Sequence, residues 1–367
     1  MPVSLPTGVV PANATAGVAA LTTNRVARFK YELLDGNMAP LGTLDGVRGS
    51  SLAETANATL KRGGNMAVTD LGQLIDWPSV RFRASYEVDG YGSWGVGAFV
   101  PSMPSEEWSG VVRRWSVQVL DVATVLAEDR MAAAYTVDVG VNIVDSVRAL
   151  IEGAGEVAGS LTGSTKTVAA PRVWEAGASR LEIINALLDT ANYFALFTDG
   201  DGNFRAEPYS SPASRPIMWE FVDGANCVYR SDLTRERDQY GIPNRVTVKS
   251  RGTGTVAGLV SVADNTNPAS PWSIPSVGRV KAAEPIEVDA ADQVTLDAIA
   301  ARRLIELTTP TSTITIEAMP VPVAVNDAVR FRRVPMGVDG RHVVSKIEYP
   351  SRPTGLAKYT LRGVAAV

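Results

Sequence analysis

Three groups of residues have the types and spacing that chemistry requires. Asp199-Gly200-Asp201-Gly202-Asn203 sets oxygen donors at alternate positions, the pattern that turns several carboxylates of one loop onto a calcium ion. The pattern fails further on. Its sixth position is Phe204 where the sharp turn needs glycine, and its twelfth is Ser210 where a bidentate glutamate belongs. Asp-Gly between alternating stretches is the signal of a short hairpin, so the loop reads as a hairpin tip and no metal is expected. His342, the single histidine, has Asp339 and Ser345 beside it, the residue types of a nucleophilic triad. No strained elbow carries the serine, and the three fall on a predicted strand and turn, so His342 reads as a solvent-facing strand residue. Glu106-Glu107 offers the paired carboxylates of a glycosidase, but neighbours on a strand point to opposite faces. Arg235-Glu236-Arg237-Asp238 is a surface charge run, and no phosphate-cradling glycine loop with Lys-Ser or Lys-Thr occurs. No catalytic, cofactor-binding or metal-binding residue is assigned, no cofactor is expected, and the chain is not read as an enzyme.

Composition narrows the classes further. At 367 residues the chain exceeds one ordinary core, so two to four domains are expected. Hydrophobic residues at 45% and charged residues at 20% place it with globular proteins. A net charge of −4 argues against gripping nucleic-acid backbones, which takes clustered Lys and Arg. One cysteine, Cys227, excludes an internal disulfide framework and multi-cysteine metal sites. Residues 1–25 are small, mildly apolar and lack a signal peptide's basic start, and no run approaches 18 apolar residues. The chain therefore reads as made in the cytoplasm without stable membrane insertion. Residues 1–25 form an N-terminal arm, either a loose tail or a strap along a neighbouring subunit.

The elements that would position these residues follow from periodicity. From Arg28 to Leu126 the pattern is β: RFKYELLD, Leu41–Leu44, Val80–Val88, Trp94–Pro101 and Trp115–Leu126, punctuated by Asp35-Gly36-Asn37, Asp45-Gly46 and Asp89-Gly90. Such spacing suggests a sandwich or barrel over residues 26–128, with Trp77, Trp94, Trp108 and Trp115 read as core and rim. Residues 129–214 read as an α+β domain. Val141–Glu152 makes a helix stopped by Gly153. Ser179 and Glu182 have capping-box spacing before Leu181, Ile184, Leu187, Leu188 and Ala191 on one helix face, and a hairpin from Tyr193 to Tyr209 follows. Ser210–Ile217 is a linker. A second β domain takes residues 215–250 and 311–367, from Ile217–Gly224, Arg245–Lys249, Thr311–Val323, Val329–Val334, His342–Pro350 and Lys358–Val364, with Asp339-Gly340 as a turn. Residues 251–310 are an inserted loop-plus-helix part. Arg251–Arg279 reads as a long loop whose deletion should spare the fold and weaken assembly, a candidate for partner contact. Ala291–Leu307 is a helix with Val294, Leu296, Ile299, Ala300 and Ile305 inward and Arg302 and Arg303 outward.

Taken in order, several stretches resemble the minor tail proteins of long-tailed phages of actinobacteria. They are YELLDGNMAPLGTLDGV (31–47), DLGQLIDW (70–77), WSVQVLDVATVL (115–126), the 174–209 helix and hairpin, GIPNRVTV (241–248) and LDAIAARRLIELT (296–308), together spanning most of residues 28–365. That family is similar to the tail hub, or baseplate hub, proteins. The resemblance implies a mainly β fold of two tail-tube-like domains plus two smaller α+β decorating domains. It further implies a structural virion protein: a homotrimer at the tail tip beneath a distal tail ring, with the tape measure protein inside and other tip or fibre proteins attached. Such a hub closes the tube, serves host attachment and forms part of the channel for genome ejection, where mild acidity suits a lumen that passes DNA without sequence-specific binding. With Val367 last, no peptidoglycan-cutting or fibre domain is expected. The alternative is a cell-wall-degrading or carbohydrate-binding tip protein, which release of sugar or peptide from host cell wall would reveal.

Overall fold

The computed structural model describes residues 19–236, 242–250, 258–288, 290, 292–308 and 312–364. The first β domain holds β1 (Ala27–Leu34), β2 (Pro40–Thr43), β3 (Val47–Thr55) and β4 (Arg62–Thr69). It continues through β5 (Arg81–Val88), β6 (Gly92–Pro101), β7 (Ser105–Ser109) and β8 (Val112–Asp121). Phe82, Ala84, Tyr86 and Val88 alternate inward along β5, and Trp115, Val117 and Val119 do so along β8, as a half-buried strand requires. The expected strand from Trp115 to Leu126 is too long. Asp121 accepts from the Ala123 N–H (3.0 Å), and α1 (Thr124–Glu128) begins there.

The α+β domain adds β9 (Tyr135–Val137), α2 (Ile143–Glu152), β10 (Ser160–Leu161) and β11 (Arg172–Trp174). Then come α3 (Arg180–Thr190), β12 (Phe197–Thr198) and β13 (Phe204–Ala206). Asn142 caps α2 through the N–H groups of Val144 and Asp145, and Ser179 Oγ caps α3 through the Glu182 N–H. Leu181, Ile184, Leu187, Leu188 and Ala191 all lie in the core of this domain. The second β domain contains β14 (Ile217–Val222) and β15 (Tyr229–Glu236). The chain then leaves it for β16 (Arg245–Ser250), β17 (Val260–Asp264), α4 (Ile274–Val277), β18 (Ile286–Val288) and α5 (Gln293–Thr308). It returns as β19 (Thr313–Ala318), β20 (Ala328–Arg333), β21 (Val338–Glu348) and β22 (Ala357–Gly363).

The two β domains share one sheet and one core. The ladder runs β15-β19-β22-β21-β3-β4-β8, with β7 on the far side of β8. The joint is antiparallel: Lys346 faces Thr55, Ile347 faces Glu54 and Glu348 faces Ala53. Two further backbone bonds flank it, from Ala56 N–H to Ser345 O and from Tyr349 N–H to Leu52 O. Apolar residues of both domains, among them Tyr86, Phe99, Phe331 and Tyr359, form a single cluster.

Several expectations are corrected. β16 pairs with β17 and β18 in a separate sheet beneath α5, so residues 245–250 belong to the inserted part and not to the second β domain. The segment 251–279 is not a free loop. Its residues 251–257 lie outside the described residues, and its remainder supplies β17, paired along Arg245–Lys249 and tied by an Arg245–Asp264 ion pair (2.6 Å). Asp339-Gly340 is no turn. Both residues sit inside β21 opposite Arg332 and Phe331, and the reversal is the helical turn Val334–Met336 closed by Gly337 at φ 61°. On α5, Leu296, Ile299, Ala300 and Leu304 are inward as the period demands, but Val294 is exposed and Arg302 is buried. Of the N-terminal arm, residues 1–18 lie outside the described residues, whereas Leu21 is fully buried in the first core.

The hairpin tip at 199–203 docks on β6 with backbone against backbone. A Cβ at Gly95 would fall on the Gly200 carbonyl, and one at Gly200 on the Gly95 carbonyl. Gly95→Ala should therefore lower stability by about 1–3 kcal/mol, read as a lower urea midpoint at unchanged slope. An unchanged midpoint would mean that the contact is not tight.

Candidate functional site

The sequence-selected residues disperse across the molecule. Asp199 turns its own loop: its Oδ1 accepts from the N–H groups of Asp201 and Asn203 (3.0 Å each), and its N–H donates to Asn203 O (2.9 Å). Among the described residues no three His, Cys, Asp or Glu side chains are placed to hold one metal ion. His342 is buried and not solvent-facing, which corrects the sequence reading. Its Nδ1 lies 3.0 Å from Gly340 O, the Phe331 ring meets it edge-on, and burial pushes its pKa down. Ser345 Oγ donates instead to Thr360 O (2.9 Å), and Asp339 pairs with Arg330 (2.9 Å). Glu106 and Glu107 sit on exposed β7. Trp77, Trp94 and Trp115 are core residues, while Trp108 is exposed and carries Arg113 over its ring. Of the charge run, Arg235 and Glu236 end β15, and Arg237 and Asp238 lie outside the described residues.

What the fold does gather is a set of buried arginines around the α+β domain. Arg62, on β4, pairs with Glu54 on β3, and both side chains are almost wholly enclosed. The same guanidinium reaches across to the Thr198 carbonyl and hydroxyl on β12. Thr198 Oγ1 in turn donates to Asp121 (3.0 Å), which also accepts the Arg62 backbone N–H (3.1 Å). Burial works against the charge on Arg62, but Glu54 and Asp121 outweigh it and raise its pKa. Burial pushes Glu54 up despite Arg62. A second clamp joins Arg81 on β5 to Glu156, with two parallel bonds of 2.8 and 2.5 Å between buried partners.

The third clamp comes from the inserted part, where the sequence reading had Arg302 and Arg303 facing solvent. Arg302 donates to Tyr193 O (2.9 Å) and lies over the Tyr209 ring, and Arg303 meets both oxygens of Asp189 (3.1 Å) at the end of α3. Burial would raise Glu306, but Arg302 and Arg303 hold its pKa below the usual glutamate value. The helix and hairpin at 179–209 are thus gripped by arginines from the first β domain on one side and from the inserted part on the other. Sequence periodicity did not reveal these contacts, because a guanidinium on an amphipathic helix reads as solvated unless its acceptor is known.

Between the hairpin, β3–β4 and the second β domain lies a cleft of about 460 Å³, lined among others by Glu54, Arg62, Trp94, Asp201, Asp327 and Tyr349. Burial pushes the Asp327 carboxyl up to about 7, against the Ala324 N–H and Arg215 and with help from Glu54. Its folded pKa thus exceeds the unfolded value of about 3.9. The native state holds the extra proton, so stability falls as pH rises from about 4 through 7. Asp327→Asn should abolish that loss. In denaturant titrations at pH 8 the variant should exceed the parent by at least about 1 kcal/mol, with no gain at pH 4. Glu54→Gln should cost about 3 kcal/mol by stranding Arg62, and pairing it with Arg62→Met should recover much of that in a double-mutant cycle.

No protein-family model and no curated protein sequence matches the chain. Solved structures do. A tail protein from Neisseria meningitidis MC58 is similar with a TM-score of 0.63 at 13% identity, over 91% of this chain and 96% of its own. The 43 kDa tail protein of prophage MuSo2 from Shewanella oneidensis is similar with a TM-score of 0.61 at 14% identity, over 90% of this chain and 98% of its own. An E. coli component of the type VI secretion system, described as structurally similar to the T4 bacteriophage tail proteins gp27 and gp5, gives a TM-score of 0.50 at 8% identity, over 95% of this chain and 75% of its own. At these identities the likeness is one of fold, and it runs almost end to end. The chain carries the mainly β fold of phage tail proteins.

Proposed function

We propose that this chain is a structural virion protein of a long-tailed phage of actinobacteria, the trimeric hub at the tail tip. Three copies close the tail tube beneath a distal tail ring and surround the end of the tape measure protein. They anchor the tip and fibre proteins and form part of the channel for genome ejection. The observation that carries the reading is the unbroken ladder from β15 through the β21–β3 joint to β7. It makes two β domains act as one wall, and three such walls give six domains around an axis. Among the described residues β15 pairs with β19 alone and β7 with β8 alone, so each of these strands turns one backbone edge away from the wall. Open edges invite pairing with another chain, and a head-to-tail contact between unlike edges gives a ring when its rotation is one third of a turn. The near-complete coverage of tail proteins supports the same reading, as does the likeness to a component described as similar to T4 gp27 and gp5.

The buried arginine clamps suit this role. A hub must hold its decorating domains at fixed angles while neighbours load them, and bidentate guanidinium contacts fix orientation as well as distance. Light scattering on the purified chain, alone and with the distal tail protein, should report trimers, and electron micrographs should show rings with three protomers. Ser231→Pro should abolish the ring while preserving the far-UV spectrum, because Ser231 is exposed in the irregular part of β15 where no β19 residue faces it. A chain that stays monomeric under both conditions would overturn the hub.

A further inference from the structure

The cleft between the three domains is walled by charges that do not all find partners among the described residues. Its cations are engaged. Lys61 Nζ donates to Ala56 O (2.8 Å), Arg62 is held by Glu54 and Thr198, and Arg205 meets Glu207 (3.0 Å). Arg215 donates to the carbonyls of Ser210 and Asn326 and lies over the Phe194 ring. The carboxylates divide into two sets. Glu54, Glu207 and Asp199 face those arginines. Asp201, at the hairpin tip, forms no ion pair among the described residues and only feels Arg83 and Arg62 at a distance. Asp327, on the approach to β20, has a single side-chain hydrogen bond from the Ala324 N–H (2.8 Å), with Arg215 in its field. Burial raises the pKa of both.

A second feature is independent of this charge excess. Tyr349 is 7% exposed and lines the same cleft. Its hydroxyl has no hydrogen-bond partner among the described residues, and it is not sealed away from the cavity. It lies in the field of Glu54 and Asp327. Buried hydroxyls are almost always hydrogen-bonded, so one that opens unpartnered on a cavity marks a place for a ligand atom.

We propose that the cleft binds a linear alkylammonium chain with two or more positive charges, one ammonium at Asp327 and Tyr349 and another at Asp201. Phe197, Met218 and Val323 on the walls cover the methylenes between. The volume is in the range that holds small molecules. A divalent metal fits the walls poorly, because calcium takes six to eight oxygens and the cleft offers two free carboxylates among apolar groups. An anion fits worse, because Lys61, Arg62, Arg205 and Arg215 each already meet a carboxylate or a carbonyl, and Arg62 Nε alone of their buried nitrogens has no acceptor among the described residues. The ammonium groups arrive either on a free polyamine or on lysine side chains of an extended segment of a partner tail protein. The inference does not rest on the hub reading.

Calorimetric titration of the full chain at pH 8 and fixed ionic strength tests this with two probes, spermidine and the peptide acetyl-Lys-Gly-Lys-Gly-Lys-amide. Saturable binding of at least one is expected, and spermidine alone or peptide alone identifies the source. Asp327→Asn and Asp201→Asn should each weaken it about tenfold or more, the effect of losing one charge-assisted hydrogen bond. Tyr349→Phe should weaken it less. Near-UV spectra matching the parent separate lost binding from lost fold. At pH 6 binding should weaken as Asp327 takes up a proton in surroundings shared with Glu54, Glu207, Arg215 and the Ala324 N–H. The inference is overturned if neither probe binds the parent chain saturably, or if both Asn variants bind with unchanged affinity.

Discussion

A guanidinium taken out of water must be met on most of its donors. This molecule is organised around three sites where buried arginines meet acceptors from several elements, with only Arg62 Nε and Arg303 Nε of their buried nitrogens left without one among the described residues. Arg62 is the most demanding. Its partners lie on β3, on β8 through Asp121, and on β12 of the α+β domain. None of those strands can shift without exposing an uncompensated charge. Arg81 with Glu156, and Arg302 and Arg303 with Asp189, set the same condition at two other seams. Apolar packing alone would let domains slide over one another at little cost, since it is non-directional. Buried forks of hydrogen bonds do not permit sliding. The arrangement fits a part whose work is to keep a shape.

The same chemistry explains which features were legible in the sequence. Helices α2 and α3 were, because their apolar faces obey a single period and Ser179 with Glu182 marks the start of α3; the Asn142 cap of α2 was not read. So were β5, whose inward residues alternate, and β6, whose apolar run is buried at four successive residues from Val96 to Phe99. β3 and β4 went unseen: their inward positions include Ser50, Glu54 and Arg62, so the pattern that marks a half-buried strand is absent where the ionic cluster is built. The buried state of Arg302 and His342 was hidden for a related reason. Each is enclosed by residues distant in sequence, Tyr193 and Tyr209 in one case and Phe331 in the other. β16 was recognised as a strand but assigned to the wrong sheet, since alternation states that a strand is half-buried without naming its partner. The Asp-Gly loop at 199–203 was read correctly as a hairpin tip, but its glycines have a second role in letting two backbones touch.

The cleft and the clamps are two outcomes of one layout. Where β3–β4, the hairpin and the second β domain converge, some charges are matched within the chain and the rest face a common space. Fully matched groups fix the domains; the partly matched ones, Asp327, Asp201 and the Tyr349 hydroxyl, leave that space chemically selective. A fold shared at low identity with phage tail proteins can therefore keep its walls while the character of its junctions differs from one chain to the next.

The β3–β21 joint has a mechanical consequence. It spans three residue pairs, whereas β1 and β5 share eight. A force along the strands would load the bonds of the joint in shear and together, the strong direction for a ladder. A force across them would peel the bonds one at a time. Glu54 stands opposite Ile347 in the middle of that short ladder, but its ion-pair partner Arg62 lies on β4, on its own side of the joint, and would stay with it. The joint is thus the shortest rung of the ladder from β15 to β8, and a crosswise load would open the wall there first.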